Sequence, residues 1–400
     1  MEIPRDDALI KSGEDMLGWV SGYMPLMREL ETQLRAKKPL SGKRISISVS
    51  LDAKAARFCT VLAAAGAQLM IAGSNPFSTR DEVCAALCAR GLDVYGYCGE
   101  SREEYFEDLK KILSFEPDLF IDEGGDCLSL LHGELASCSR YVLGGCEQIT
   151  SGISRMALRE SHDKLHFPMI ASNDANCKRL IDNRFGSGQA VWEAIMHTTN
   201  LSIAGKTVVV AGFGNSGSGI AQCAQGLGAK VIVTEIDPVR AIEATMQGFS
   251  VMSMDSAAAC GDIFITATNS ANVLQDKHFA SMKACVLLCN AGRQDVEINI
   301  KHLSAMSTEV TKVRPQVQGF RMKDGRTICL LSDGRHVGLS AGQGHPIEMA
   351  DMSYAILTMS LLYLSEHGEQ MPSRVYNVPK EIDRFVARLK LSSMGINIDQ

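Results

Sequence analysis

The stretch from Lys206 to Asp237 constrains this chain more than any other. An apolar run, Thr207 to Ala211, leads into Gly212-x-Gly214-x-x-Gly217. A helix rich in small residues is expected from Ser218 to Leu227, and a second apolar run, Lys230 to Thr234, ends on Glu235. Strand, glycine turn, helix, strand and acid in that order form a dinucleotide-binding fingerprint. Gly212 permits the tight turn, Gly214 lets the backbone approach a pyrophosphate, and Gly217 lets the helix pack close to the strand. The helix N-terminus adds uncommitted N–H groups and the positive end of its dipole. Glu235 lies 23 residues beyond Gly212, where a carboxylate accepts from both ribose hydroxyls and repels a 2′-phosphate. The expected cofactor is therefore NAD rather than NADP.

At 400 residues the chain exceeds one typical core, so two domains are expected. With 46% apolar and 22% charged residues, its composition is that of an ordinary soluble enzyme, and a net charge of −6 argues against nucleic-acid binding. The first residues, Met-Glu-Ile-Pro-Arg-Asp-Asp, have neither a basic nor an apolar leader region, so no secretory signal is expected, and no run of 18 apolar residues suggests a membrane partner. The 13 cysteines are scattered without a CxxC pair, which fits reduced thiols in a cytoplasm rather than disulfides or a metal site.

Along the chain, residues 15–38 are expected to be helical. Ile45–Leu51, Gln68–Ala72, Val94–Tyr97, Leu119–Ile121 and Pro168–Ser172 read as strands, and Asp52–Ala65, Thr79–Arg90 and Glu103–Ser114 as intervening helices. Beyond the glycine loop, helix Val239–Gln247 precedes strands Asp262–Thr266, Ala284–Asn290, Gly319–Met322 and Thr327–Leu331, and a helix occupies 342–366. The fold class is α/β. Two doubly wound parallel-sheet domains are expected, with a Rossmann domain at 184–341 inserted into a substrate domain made of 1–183 and 342–400.

Three places invite a functional reading. Asp122-Glu123-Gly124-Gly125-Asp126 follows a strand, where α/β sheets bind ligands, although a plain acidic turn would look the same. Lys178 and Asp182 are four residues apart and share a helix face, as a surface ion pair or as a site pair. His345, in Gly344-His345-Pro346 near a helix start, reads equally as structural.

Taken together, several motifs resemble the S-adenosylhomocysteine hydrolase (adenosylhomocysteinase) family. They are Asn75–Asp81, Asp122–Asp126, Asn173-Asp174 with Lys178 and Asp182-Asn183, Ile203–Lys206, the Gly212 loop, Thr234–Pro238, Cys289-Asn290, Asp295–Ile298, Pro315–Val317 and Gly344–Pro346. The resemblance implies a bound NAD that oxidises a nucleoside 3′-hydroxyl, elimination of the 5′ substituent, addition of water and return of the hydride. It implies that Lys178 serves the 3′-hydroxyl as proton acceptor, that Asp182 holds the ribose hydroxyls, and that Glu123 lies near C4′ and C5′. His345 and Gln148 fall on the substrate side. Thr150, Ser151, Asn183, Gly212, Gly214, Asn215, Ser216, Gly217, Glu235, Arg240, Asn269, Ala291, Gly292 and Arg293 fall on the cofactor side. A homodimer or homotetramer is implied as well.

The departures from the family pattern are concentrated on the nucleoside side. Ser50 replaces a histidine on the leaving-group side of the ribose, Gln148 a glutamate, Asp52 a threonine, Lys54 a base-contacting glutamate, Ser187 a cysteine near the nicotinamide, and Gly338 an asparagine of the cofactor loop. Arg293 replaces a histidine. The family's C-terminal extension has no counterpart before Gln400, which implies a looser hold on NAD. Two readings stay open: an enzyme that keeps 3′-oxidation but has changed its nucleoside or the fate of the 5′ group, and an inactive NAD-binding homologue with a regulatory or partner-binding role.

Overall fold

The computed structural model describes residues 6–292 and 295–399. The chain divides into two compact units: the first runs to Arg179 and resumes at Ile347, and the second is Leu180–Pro346.

Unit 1 holds strands β1 (Arg44–Val49), β2 (Gln68–Gly73), β3 (Asp93–Tyr95), β4 (Leu119–Asp122), β5 (Gly144–Glu147) and β6 (Met169–Ala171), and a closing strand, Val375–Asn377. Their order across the sheet is closing strand, β6, β5, β4, β1, β2, β3, with every neighbour parallel. The strand order reverses between β1 and β4, so the carboxyl ends of these two strands frame the crevice where such sheets take ligands.

The apolar pattern expected to make one helix over 15–38 is divided at Pro25. Helices run over Asp7–Gly22 and Pro25–Lys37, because a proline opens a helix readily but removes a hydrogen bond from the interior of one. Helix Ile347–His367 is the central helix of this unit, and Tyr354 stacks on Phe58 at 5.0 Å. Continued to Gln370, this segment is long and apolar enough to cross a membrane, but 72% of its apolar window is buried inside the protein.

Unit 2 contains β7 (Thr207–Ala211), β8 (Lys230–Thr234), β9 (Ser250–Val251), β10 (Ile263–Thr266), β11 (Val286–Asn290), β12 (Ser307–Arg314), β13 (Val317–Met322) and β14 (Thr327–Leu331). The order is β12-β13-β14-β11-β10-β7-β8-β9. It is parallel apart from the antiparallel β12–β13–β14 meander. Alternate residues feed two separate cores: Val208, Val210, Val233 and Ile265 one, and Val209, Ile232, Phe264 and Leu288 the other. That division is the signature of a sheet covered on both faces. The helix after the glycine loop is Asn215–Gly226, three residues earlier than its small-residue run suggests, because the loop itself supplies the first turn.

Candidate functional sites in the two units

In unit 1, Ser50 follows the end of β1 and Glu123 the end of β4, the two strands at the reversal point. The Ser50 N–H donates to Glu123 Oε2 at 2.6 Å, and the Ser50 hydroxyl to Oε1 at 3.3 Å. Ser74, just past β2, donates to Oε2 at 2.8 Å and meets the Ser50 hydroxyl at 3.3 Å. The Glu123 carboxylate is therefore held by groups that follow β1 and β2. Sequence reasoning did not single out Ser74, although its place one residue beyond an apolar strand was a usable signal.

Asp52 caps the helix Ala53–Ala64, its Oδ1 accepting from the backbone N–H groups of Lys54 and Ala55. Its Oδ2 meets Lys54 Nζ at 2.8 Å. The positive charge of Lys54 is thus matched within its own turn, and Asp52 and Lys54 present an acceptor beside a donor rather than a bare cation.

Glu147, wholly buried, receives the backbone N–H of Gly124 at 3.1 Å and of Ile149 at 3.0 Å. It braces the Glu123 turn and the start of helix Thr150–Glu160 together. A Cβ on Gly152 would lie 1.9 Å from the Glu147 carboxylate, which accounts for that glycine. Gln148 is buried, Ser151 is half-buried in the first turn of the same helix, and Thr150 Oγ1 accepts from Asn173 Nδ2 at 3.1 Å. Lys178 is half-buried in Cys177–Gly186, a π-helix with i→i+5 hydrogen bonds, a form that recurs at functional sites.

In unit 2, Asp182 lies on the same π-helix and its side chain is 1% exposed. It accepts from His345 Nδ1 at 2.6 Å. His345 Nε2 meets the Ser187 hydroxyl at 3.2 Å, and Ser187 donates to the hydroxyl of Ser216 at 3.3 Å. A chain of polar contacts therefore runs from Asp182 to the first turn of the helix after the glycine loop. Gly186 makes room for it, since a Cβ there would come within 2.8 Å of Asp182 Oδ1. Asn183 is half-buried beside Asp182 in sequence.

The loop itself fits a dinucleotide. Gly212 has φ +93°, and a Cβ on Gly217 would lie 2.0 Å from the Gly212 carbonyl oxygen. Gly214 leads into the helix with no side-chain cap, and Asn215 and Ser216 open its first turn, leaving the first N–H groups to a ligand anion. Glu235 Oε2 accepts from Phe213 N–H at 2.7 Å, and its Oε1 from Ile236 and Asp237 N–H at 2.7 and 3.0 Å. Glu235 is thereby fixed at the rim of the loop. Arg240 is exposed and pairs with Asp237 at 3.9 Å, and its guanidinium is 3.5 Å from the position of a Gly214 Cβ.

Beside β7, the loop after β10 is organised by Glu297, a wholly buried carboxylate within the Asp295–Ile298 motif. It accepts from Thr268 N–H at 3.0 Å, Thr268 hydroxyl at 2.8 Å and Asn269 N–H at 2.8 Å. Asn269 takes a left-handed φ of +57° and is exposed. Ala291 and Gly292 are buried after β11, and Gly292 N–H donates to Asn290 Oδ1 at 2.8 Å. Arg293 lies outside the described residues.

Comparison with known proteins agrees with this geometry. The family described as S-adenosyl-L-homocysteine hydrolase, NAD binding domain, matches residues 183–344, and S-adenosyl-L-homocysteine hydrolase matches residues 5–143. Over 396 residues the chain is 45% identical to an adenosylhomocysteinase of Pyrococcus abyssi, covering 99% of this chain and 94% of that one. It is 44% identical over 397 residues to an S-inosyl-L-homocysteine hydrolase of Methanopyrus kandleri, with coverage of 99% and 94%. It is 44% identical over 391 residues to an adenosylhomocysteinase of Thermotoga maritima, with coverage of 98% and 97%. Two α/β units, a glycine loop shaped for NAD and identity along nearly the whole length lead to one conclusion: the chain belongs to the S-adenosyl-L-homocysteine hydrolase family.

Proposed function

We propose that the protein cleaves an S-nucleosyl-L-homocysteine by way of its 3′-oxidised form, and that it prefers a 6-oxopurine base of the inosine type to adenine. The observation that carries the reaction is the Glu123 carboxylate, held by three donors at the carboxyl ends of β1 and β4.

Bound NAD supplies the two-electron oxidation at C3′ that makes the C4′ proton removable, and returns those electrons at the end of the cycle. Gly212, Gly214, Gly217 and the uncapped helix start hold its phosphates, and Glu235 holds its adenosine ribose. Lys178 takes the 3′-hydroxyl proton, and Asp182, braced by His345, holds the ribose hydroxyls in line. Glu123 removes the C4′ proton, and the same group in reverse assists the addition of water.

The base preference rests on Asp52 and Lys54. An ammonium only donates and an ionised carboxylate only accepts. Hypoxanthine offers an acceptor at O6 beside a donor at N1, whereas adenine offers a donor at N6 beside an acceptor at N1. Lys54 stands where the resembled family carries a base-contacting glutamate, so a donor replaces an acceptor there, which suits O6 of hypoxanthine rather than the N6 amino group of adenine. The Methanopyrus kandleri relative named for S-inosyl-L-homocysteine supports the same choice.

The test is direct. Purified protein with NAD is mixed with inosine or adenosine, and the absorbance of bound NADH is followed. Thiol release is then measured from the two homocysteine conjugates. Reduction by inosine and faster release from the inosyl conjugate are expected. No reduction with either nucleoside overturns the oxidative reading and leaves the inactive-homologue alternative. A Lys178→Ala variant that still reduces NAD overturns the role given to Lys178.

A further inference from the structure

The three groups at the end of the unit-1 sheet are brought together by strand register. Val49 of β1 pairs with Gly73 of β2, so Ser50 and Ser74 emerge side by side. Ile47 pairs with Ile121 of β4, which puts Glu123 level with Val49. Three oxygen–oxygen contacts link the groups: Glu123 Oε1 to Ser50 Oγ at 3.3 Å, Ser50 Oγ to Ser74 Oγ at 3.3 Å, and Ser74 Oγ to Glu123 Oε2 at 2.8 Å.

A hydroxyl carries one proton and an ionised carboxylate none. Two protons therefore serve three contacts, and one contact has no hydrogen to share. When Glu123 gains a proton the count becomes three. The ring can then close as Glu123 Oε1–H to Ser50, Ser50 O–H to Ser74, and Ser74 O–H to Glu123 Oε2. This arrangement accepts a proton with rotation of the Ser50 hydroxyl alone and no movement of heavy atoms.

We propose that Ser50, Ser74 and Glu123 form a proton carrier that moves the C4′ proton to the departing sulfur, with Ser50 as the relay and Ser74 as a positioning residue. The inference rests on the reaction proposed above. In the step, the C4′–H bond breaks and its proton joins Glu123, while the electron pair becomes the C4′–C5′ π bond. The C5′–S bond breaks and its pair goes to sulfur. Sulfur takes the Ser50 proton, and Glu123 returns the abstracted proton to Ser50. The products are the 3′-keto-4′,5′-alkene and a neutral thiol, and the carboxylate is restored. A hydroxyl relays only a proton it is given, so serine can replace an acid at this position only while Glu123 supplies that proton.

The experiment compares two thioethers of the same nucleoside on the NAD-loaded protein: the homocysteine conjugate, and a 4-nitrothiophenyl conjugate whose thiolate departs without protonation. Ser50→Ala is expected to slow homocysteine release about 100-fold and nitrothiophenolate release less than about threefold, and Ser50→Thr to restore most of the loss. Ser74→Ala is expected to slow both about tenfold, with Ser74→Thr restoring both. In the protein without cofactor or nucleoside, Ser74→Ala is expected to shift the isotope-edited infrared carboxylate band of Glu123. Equal loss with both thioethers in Ser50→Ala, or an unmoved Glu123 band in Ser74→Ala, overturns the carrier. Absence of bound NADH when the unsubstituted protein meets the parent nucleoside instead overturns the underlying reaction, which separates the two failures.

Discussion

Asp182 Oδ1 and His345 Nδ1 are 2.6 Å apart although 163 positions separate the two residues in sequence. The carboxylate is buried and acceptor-only, so His345 carries its proton on Nδ1 and turns Nε2 toward Ser187. The histidine is thereby a brace for Asp182. Its reading as a substrate contact in the Gly-His-Pro loop remains a proposal.

From this brace follows the first prediction. His345→Ala removes one donor from a carboxylate that has no access to water, which costs about 1–3 kcal/mol. Urea unfolding should show that loss, and bound-NADH formation with the parent nucleoside should slow about 100-fold. Asp182→Asn should slow the same step to a similar extent. The double variant should lose much less than the sum, because both changes break one contact. Additive losses would show that His345 acts elsewhere.

A second prediction concerns the base. Replacing Asp52 and Lys54 together, as Asp52→Thr with Lys54→Glu, removes the donor proposed for O6 and installs an acceptor that would suit N6. The ratio of kcat/KM for the inosyl over the adenosyl conjugate should fall about 10- to 100-fold. Lys54→Glu alone should do less well with either substrate, since it sets two carboxylates where Asp52 and Lys54 now pair at 2.8 Å. Steady-state rates with both conjugates decide it.

The alternation of strands and helices was legible because buried strands read as apolar runs. Thr207–Ala211 and Lys230–Thr234 agree with the structure at both ends. β12 was not legible. Seven of the eight residues of Ser307–Arg314 are exposed, so no apolar alternation marks the strand. The glycine loop and the residues after β1 and β4 could be read because local geometry forces their identity. Ser74, Glu147 and Glu297 could not, since their meaning lies in partners 23 to 49 residues away. A buried carboxylate satisfied by distant backbone N–H groups looks in sequence like any surface acid.

Asp351 is another acid of that kind, and it yields a prediction about pH. It is fully buried and accepts the Leu26 and Met27 N–H groups at 2.9 and 3.0 Å, capping helix Pro25–Lys37 from helix Ile347–His367. Burial pushes its carboxyl from an ordinary 3.8 up to about 6, against the opposing pull of the two N–H donors and of Lys390 and Arg57. With the folded value raised, its contribution to stability is fully present below about pH 4 and lost as pH rises through about 6. The stability difference between the natural protein and Asp351→Asn should therefore move about 2 kcal/mol in favour of the natural protein between pH 7 and pH 4. Urea titrations of both proteins across this range measure it, and a constant difference would refute it.

The last prediction returns to the glycine loop. A methyl on Gly217 would lie 2.0 Å from the Gly212 carbonyl oxygen, well inside the distance at which backbone must yield. Gly212 cannot move away freely. It already holds φ +93°, and a Cβ at its own position would be 2.7 Å from the Ala267 carbonyl, so the β10 loop confines it from the other side. Gly217→Ala therefore has to displace the start of helix Asn215–Gly226, whose first N–H groups are the proposed phosphate donors. Affinity for NAD should fall at least about 100-fold, which corresponds to about 2.7 kcal/mol. Fluorescence quenching of the cofactor-free protein by added NAD reads this directly. Gly226→Ala, at the far end of the same helix where nothing lies within 4 Å, should leave the affinity within about twofold. If both variants bind NAD alike, the loop is not the phosphate site.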